Sequence, residues 1–403
     1  MTIQAIETLR LAEFPNLIWV IVEDADGTRG LGETFMGAEA VETYVHETVA
    51  PKIIGQDAVA VDSIRSRLRP YVGHQAAGIE QRGNSAVDIA LWDLWGRRTG
   101  QPVWRLLGGR ARESIRTYNT CAGYEYVRAN TGQHTENWGI SGEKAAAPSG
   151  PYEDLQAFLT DAGTLAESLM DNHITGMKIW PFDPYAETSQ GAAITPAQLR
   201  EGSEPFRKIR ATVGEHMQIM LECHSLWSVP AARDIVAALA PYNIYWIEDP
   251  ISMNNLAALA DFRRSINVKV TASETLATRQ QFEALMQARA TDIVMLDLAW
   301  CGGLTEAKAI ASIAEANHLP IAPHDCTGPV VWAASCHLSV NAPNTLIQES
   351  VRAFYTGWYT ELVDNLPELQ DGELAPPVGD GLGMSLRPEL FSRTDATHRR
   401  SQA

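Results

Sequence analysis

From about residue 114 to residue 350 the chain repeats one pattern: a short apolar run, then a stretch of helical length and mixed polarity. The runs fall near 115–120, 176–180, 218–224, 244–248, 268–274, 292–297, 320–324 and 345–349. Eight short strands separated by helix-length segments predict a parallel β/α barrel. The pattern before it is different. "NLIWVIVEDADGTRGLGETF" (16–35) carries two apolar runs around an Asp-Gly turn and predicts a β-hairpin. Residues 36–100 read as helices, with apolar spacing in "NSAVDIALWDLWGRRTG" and a closing Gly100. Residues 1–112 are thus expected to form a small α+β cap and residues 113–354 the barrel. Residues from about 355 to 403 are expected to pack back on the cap, the last ten as a polar tail. The stretch 121–152, rich in Gly, Asn and Pro and too long for a plain strand-to-helix connection, predicts a lid.

What ends each run is more informative than the runs themselves. Lys178, Glu222, Glu248, Glu274, Asp297, His324 and Glu349 close seven of them, the last six at intervals of 26, 26, 23, 27 and 25 residues. That is one β/α unit per step, which places the six on one rim, the C-terminal one, where barrel active sites are built. Stepping back by twos from them gives Met220, Trp246, Ala272, Met295, Ala322 and Ile347 as barrel-interior residues, so the ends converge. A single charged residue at a strand end reads as a strand emerging into water; six at near-constant spacing do not. Lys178, within "TGMKIWPFD", is a cation aimed inward on the same strand face as Trp180.

Glu222, Glu248 and Glu274 fall on three consecutive strands. Two carboxylates about 4 Å apart repel by roughly 4 kcal/mol at an effective dielectric near 20. Either such a group takes up protons or it holds a cation. Three hard oxygen ligands without a thiolate favour Mg²⁺, with Mn²⁺ the nearest competitor. His224, two residues beyond Glu222, is a candidate fourth ligand, which would favour zinc or iron instead. Asp297 and His324, on neighbouring strands, suit a general base whose tautomer is fixed by a carboxylate, and "HDCTGP" supplies a tight turn to hold it.

Composition narrows the classes. The 403 residues are 45% hydrophobic and 20% charged, with a formal net charge of -17 and a pI near 5.0. This excludes a phosphate-binding groove built on clustered Lys and Arg. Cys121, Cys223, Cys301, Cys326 and Cys336 make no C-x-x-C pair, against a disulfide framework or zinc finger, and suggest reduced thiols in a cytoplasm. "MTIQAIETLRLAEF" lacks the character of a signal peptide, and the uncharged 326–348 is too interrupted by polar residues and proline to span a membrane. His46, His74, His134, His173, His216, His318, His337 and His398 match no ligand spacing, although His74 in the cap and His134 in the lid are candidates to reach a substrate.

The acids in "LECH", "WIEDP" and "ASET", followed by "DLAWCGG", "APHDCTGP" and "IQES", resemble the mandelate racemase subgroup of the enolase superfamily. So do "ETFMG" and "ALWDLWGRRTGQPVWRLLGG" before the barrel. The resemblance implies a (β/α)₇β modified TIM barrel under an N-terminal α+β capping domain. It implies Mg²⁺ on Glu222, Glu248 and Glu274, His324 with Asp297 as base, and Glu349 bonded to a substrate carboxylate. Lys178 would be an electrostatic partner of that carboxylate, and Thr34 with its neighbours would touch the far end of the substrate. Racemases of this subgroup carry K-x-K on the second strand; here Trp180 replaces the second lysine, which puts two-base racemisation in doubt and suits an apolar wall, or plain barrel packing. Acid sugar dehydratases, galactonate dehydratase among them, place a histidine two residues after the third-strand ligand, as His224 stands here, to protonate a departing 3-hydroxyl. The implied reaction is dehydration of an aldonate or aldarate to a 2-keto-3-deoxy acid; a homo-oligomer is the usual expectation for such an enzyme, which the sequence itself does not fix. A cycloisomerase or epimerase, a zinc-dependent hydrolase barrel and an inactive sensor or scaffold are the alternatives.

Overall fold

The computed structural model describes residues 1–70, 78–126, 128, 131–132, 134–135, 140 and 150–402. Much of the expected lid, and His74, therefore lie outside the described residues. Strands β1 (Ile3–Leu11), β2 (Leu17–Asp24) and β3 (Arg29–Phe35) form an antiparallel sheet, with β2 and β3 as the predicted hairpin. Its turn is tied by Asp24, whose Oδ1 accepts the N–H groups of Asp26 and Thr28 at 3.0 Å each. The helix Ile79–Thr99, closed by Gly100 as predicted, lies on this sheet. Gly30 and Gly32 make that approach possible: a Cβ on Gly32 would stand 1.9 Å from the Ala86 carbonyl oxygen, and one on Gly30 2.1 Å from that of Ala90.

The eight predicted strands all form: β4 (Ile115–Thr120), β5 (Gly176–Ile179), β6 (Gln218–Glu222), β7 (Trp246–Glu248), β8 (Lys269–Ala272), β9 (Ile293–Leu296), β10 (Ile321–Pro323) and β11 (Gln348–Ser350). They pair in parallel in sequence order from β4 to β10. Strand β11 pairs with β4, and Ile321 of β10 bridges to Thr345 just ahead of β11, giving the barrel-like arrangement. Tyr118, Met220, Trp246, Ile293, Met295, Ala322 and Ile347 fill its interior as a cluster separate from the layer between strands and helices.

Five of the six residues found by stepping back in twos belong to that interior cluster; Ala272 does not. The register pairs Thr271 with both Glu248 and Ile293, and Ala272 with Val294, so Thr271 faces inward and Ala272 packs in the outer layer. Strand β8 stops at Ala272, and the following turn, not strand alternation, carries Glu274 to the rim. Ser273 braces this turn: its hydroxyl donates to Asp249 Oδ2 at 2.6 Å and accepts the Thr275 N–H at 3.1 Å.

Near the carboxyl end, β12 (Glu368–Gln370) and β13 (Glu373–Ala375) form a hairpin whose second strand pairs antiparallel with β4. The expected polar tail is instead a strand, β14 (Ala396–Gln402), paired antiparallel along β1 from Leu11 back to Ala5. It is an edge strand with mostly exposed side chains, so it carries no apolar alternation to read; backbone pairing and charge hold it. Arg400 pairs with Glu7 and, at 2.9 Å, with Glu23; His398 reaches Glu7 at 3.1 Å. All five cysteines are free and buried, and among the described residues no helix is long and apolar enough to cross a membrane.

His46 ties this strand to the cap, its ring bridging the Thr8 hydroxyl at 2.9 Å and the Ser401 hydroxyl at 2.8 Å. Burial, and then the charge of Arg399, push its imidazole down to about 4, while Glu42 and Glu47 act in the opposite sense. An unfolded imidazole titrates near 6.5. Below that pH the unfolded chain takes up a proton that the fold resists, so this contribution to stability is full above about 6.5 and is lost as pH falls towards about 4. His46→Gln is expected to flatten the dependence of Tm on pH between these values; a slope equal to the wild type's would refute the assignment.

Candidate active site

The seven polar strand ends meet on one rim, with Lys178 at their centre. Its Nζ lies 2.7 Å from Glu248 Oε1, 3.0 Å from Glu349 Oε1 and 3.4 Å from Glu222 Oε2, and it is only 2% exposed. Burial alone would depress the lysine; the charges of Glu248 and Glu349 outweigh it and hold the ammonium well above its ordinary range. Glu349 is itself fixed by three donors: Lys178, the Thr120 hydroxyl, and the Asp325 N–H at 3.0 Å.

Glu222 and Glu248 are directly opposite in register, and their pKa values move apart. Burial and the adjacent Glu222 charge push Glu248 up. Burial also acts to raise Glu222, but the positive charges of His224 and Lys178 prevail and lower it. Crowding thus acts on the two carboxyls in opposite directions, favouring the neutral form of Glu248 and the charged form of Glu222. Glu248 accepts the Trp246 indole N–H at 3.1 Å, and Glu222 Oε1 accepts the N–H groups of Cys223 and His224 at 2.9 and 2.6 Å.

Glu274 is turned away from this pair, its Oε2 2.6 Å from His324 Nε2. Among the described residues no three Asp, Glu, His or Cys side chains are gathered as a ready-made metal cage; the three glutamates stand as two groups, Glu222 beside Glu248 and Glu274 on His324. Their oxygens are engaged by the nearest cations. The donor set nonetheless suits a hard dication: Glu222 Oε2 is buried and accepts no hydrogen bond, and Asp249 Oδ1 beside this pair is likewise unsatisfied.

His324 and Asp297 form the predicted dyad, Nδ1 to Oδ2 at 2.6 Å. Asp297 Oδ1 accepts the Ala299 N–H at 2.6 Å, so both carboxylate oxygens are directed and Nδ1 is the bound nitrogen. Burial opposes the imidazolium, but Glu274 and Glu349 outweigh it and hold the ring well above its ordinary value. A second dyad was not legible in the sequence: His224 Nδ1 lies 2.6 Å from Asp183 Oδ2. Here too burial would lower the ring, and the charges of Asp183 and Glu222 lift it to about 9. Asp183 opens the helix Asp183–Ser189 beyond β5, outside any strand periodicity, and only its place at the end of "TGMKIWPFD" hinted at it.

These groups border a cavity of about 310 Å³. Lys178, Glu222, His224, Glu274 and His324 form its polar wall; Phe35, Met36, Tyr126, Trp180 and Trp300 form its apolar one. Trp180 lies edge-on to His224, ring centroids 5.9 Å apart, and packs on Phe158 behind, so it is both cavity wall and core. Thr34 does not reach the cavity: it is fully buried and donates to the Ala299 carbonyl at 2.8 Å, leaving Phe35 and Met36 as the cap residues at the site. His134, in the expected lid, is exposed and faces Glu187 at 3.2 Å. A cavity of similar size between the helices Val61–Leu68 and Ile79–Thr99 offers no comparable chemistry, because its Glu306 is already paired with Arg65 and Arg279.

The cap and the rim correspond to two known domain families. Residues 5–108 match the mandelate racemase / muconate lactonizing enzyme N-terminal domain, and residues 161–390 the enolase C-terminal domain-like family. The chain belongs to the enolase superfamily, mandelate racemase subgroup. It is 47% identical to a solved enolase of that subgroup from Agrobacterium tumefaciens, with a TM-score of 0.88 over 100% of this chain and 99% of the other. It is also 28% identical to a D-galactonate dehydratase from Ralstonia nicotianae, over 97% of this chain and 93% of the relative. An arabinonate dehydratase from Saccharolobus solfataricus is 25% identical over 94% of this chain and 91% of its own length.

The charge arrangement makes a direct prediction. Lys178→Met leaves Glu248 and Glu349 without their shared buried cation, and breaking such a pair from one side costs about 3–5 kcal/mol. Urea unfolding at neutral pH is expected to show a loss of that size; a change under about 1 kcal/mol would mean that Lys178 is not what balances the rim.

Proposed function

We propose that the protein is a Mg²⁺-dependent hydro-lyase acting on a sugar acid, an aldonate or aldarate, and releasing a 2-keto-3-deoxy acid. The observation that carries this reading is the presence of two imidazoles, His324 and His224, each oriented by its own carboxylate, on the wall of one cavity. Elimination of water needs one group to take a proton and another to give one. The names of the galactonate and arabinonate dehydratases similar to this chain agree with it. Trp180 argues against a two-base epimerase, since an indole takes no proton.

In this reading Glu222, Glu248 and Glu274 hold the ion, which when bound supplies positive charge to the oxygens of the substrate carboxylate. Lys178 adds a second cation where water is excluded. Glu349 holds Lys178 and Thr120 in place. His324 in its neutral form, reached once the Glu274 charge that favours the imidazolium is committed to the ion, accepts the C2 proton at Nε2, the nitrogen not bound to Asp297. That nitrogen contacts Glu274 in the structure, so Glu274 must give up the contact, as it would on becoming a ligand. The electron pair left at C2 delocalises into the carboxylate and then returns to form C2=C3 as the C3–O bond breaks. His224, held at Nδ1 by Asp183, gives its proton to the departing hydroxyl, which leaves as water. The resulting enol becomes the 2-keto acid.

Incubation with a panel of aldonates and aldarates in D₂O with Mg²⁺ tests this. A 2-keto-3-deoxy product is expected. Recovered substrate deuterated at C2, with no product, would replace dehydration by epimerisation, and no reaction or exchange with any acid would favour a non-catalytic role. His324→Asn is expected to lower kcat by about 10²–10⁴-fold. His224→Asn should stop elimination while leaving exchange of the C2 hydrogen measurable. Chelation should abolish both, and added Mg²⁺ should restore them.

A further inference from the structure

A smaller chamber of about 170 Å³ adjoins the cavity, sharing Met36, Glu274 and Trp300 as common walls. Its cation is Arg82, near the start of the cap helix Ile79–Thr99. The guanidinium lies over the Trp300 ring, 5.3 Å from its centroid, and Trp300 in turn stacks on His324. Among the described residues no carboxylate stands within ion-pair distance of Arg82. Its Nη2 meets only the Met36 sulfur, at 3.9 Å, and its Nε is buried without a hydrogen-bond partner. The carboxylates whose charge it feels, Asp297 and Glu274, are each already 2.6 Å from His324.

A partly buried guanidinium placed on an aromatic face, with donors to spare, is poised for an acceptor from outside the chain. Bonds from a charged donor to a charged acceptor are roughly twice as strong as neutral ones, so an anion suits this position better than another sugar hydroxyl. Lys178 and Glu222 line the main cavity and not the side chamber, whereas Arg82 lines the chamber, on the other side of the shared Met36, Trp300 and Glu274. We propose that Arg82 is a specificity-determining residue that receives a second carboxylate, so that the substrate is an aldarate, with an acid group at each end, and not an aldonate. This rests on the proposed dehydration for the inner end of the substrate; the outer end is read from the side chamber alone. Among the described residues lining that chamber Glu274 is the one acid, and its charge is directed to His324.

The test compares an aldarate with the aldonate of matching configuration on the Mg²⁺-loaded wild type, Arg82→Gln and Arg82→Lys. Both kcat/KM and calorimetric binding are measured. The wild type should favour the diacid by at least about tenfold in both. Arg82→Gln should cut the diacid by about 10- to 100-fold and the monoacid by less than about threefold, with Arg82→Lys in between. Equal losses for the two acids, a wild-type preference for the monoacid, or binding of neither would overturn the proposal. Binding separates this from the reaction itself. Diacid binding lost in Arg82→Gln but without dehydration would sink the proposed chemistry and leave this assignment standing; dehydration of monoacids alone would do the reverse.

Discussion

The rim gathers more buried carboxylates than it has cations to offset them, and the placement of every other group there follows from that imbalance. A carboxylate withdrawn from water is tolerated only when paired, hydrogen-bonded or protonated, and all three solutions are in use. Lys178 serves Glu222, Glu248 and Glu349 together; His324 stands between Glu274 and Asp297; Glu248 is pushed towards its neutral form by burial and by Glu222. Such a centre is held rigidly, yet several of its oxygens are committed to side chains that a ligand of higher charge can displace. Rigidity with exchangeable partners is what binding and proton transfer at one place require.

The same arrangement explains why cap and barrel are inseparable. The segment Asp297–Gly303 begins with the carboxylate that orients His324 and goes on to grip the cap. Ala299 accepts from Thr34, the Trp300 indole donates to the Phe35 carbonyl, Cys301 accepts from Gln81, and the Gly302 N–H donates to Ser85. On the other side of the dyad, cap residue Glu33 accepts the N–H groups of Val330 and Val331 at the start of the helix Pro329–Asn341. Burial holds that carboxyl up to about 8. Docking of the cap and aiming of the imidazole are thus carried by neighbouring residues in the chain.

The sequence made the barrel legible because its strands are buried on both sides and end in charge at a regular interval. Lys178, Glu222, Glu248, Asp297, His324 and Glu349 could be placed by alternation alone. Glu274 was reached by the right count for the wrong reason, since a turn and not the strand delivers it. Asp183 and Arg82 escaped because they sit on helices whose spacing carries no trace of what lies opposite in space. Of Thr34 and its neighbours, expected together at the site, Phe35 and Met36 line the cavity while Thr34 bonds Ala299, since a one-residue step along β3 reverses the face. Strand β14 was invisible for a related reason, because an edge strand with exposed side chains leaves no apolar rhythm.

That last strand has a consequence for how the molecule is made. Strand β1 precedes the barrel in the chain, but one of its edges finds its neighbour only when residues 396–402 appear. Until then a run as apolar as Ile3–Leu11 presents unpaired peptide groups to whatever is nearby. The cap sheet therefore gains this fourth strand only after the whole barrel has been made, and the nascent chain depends on that delay being short.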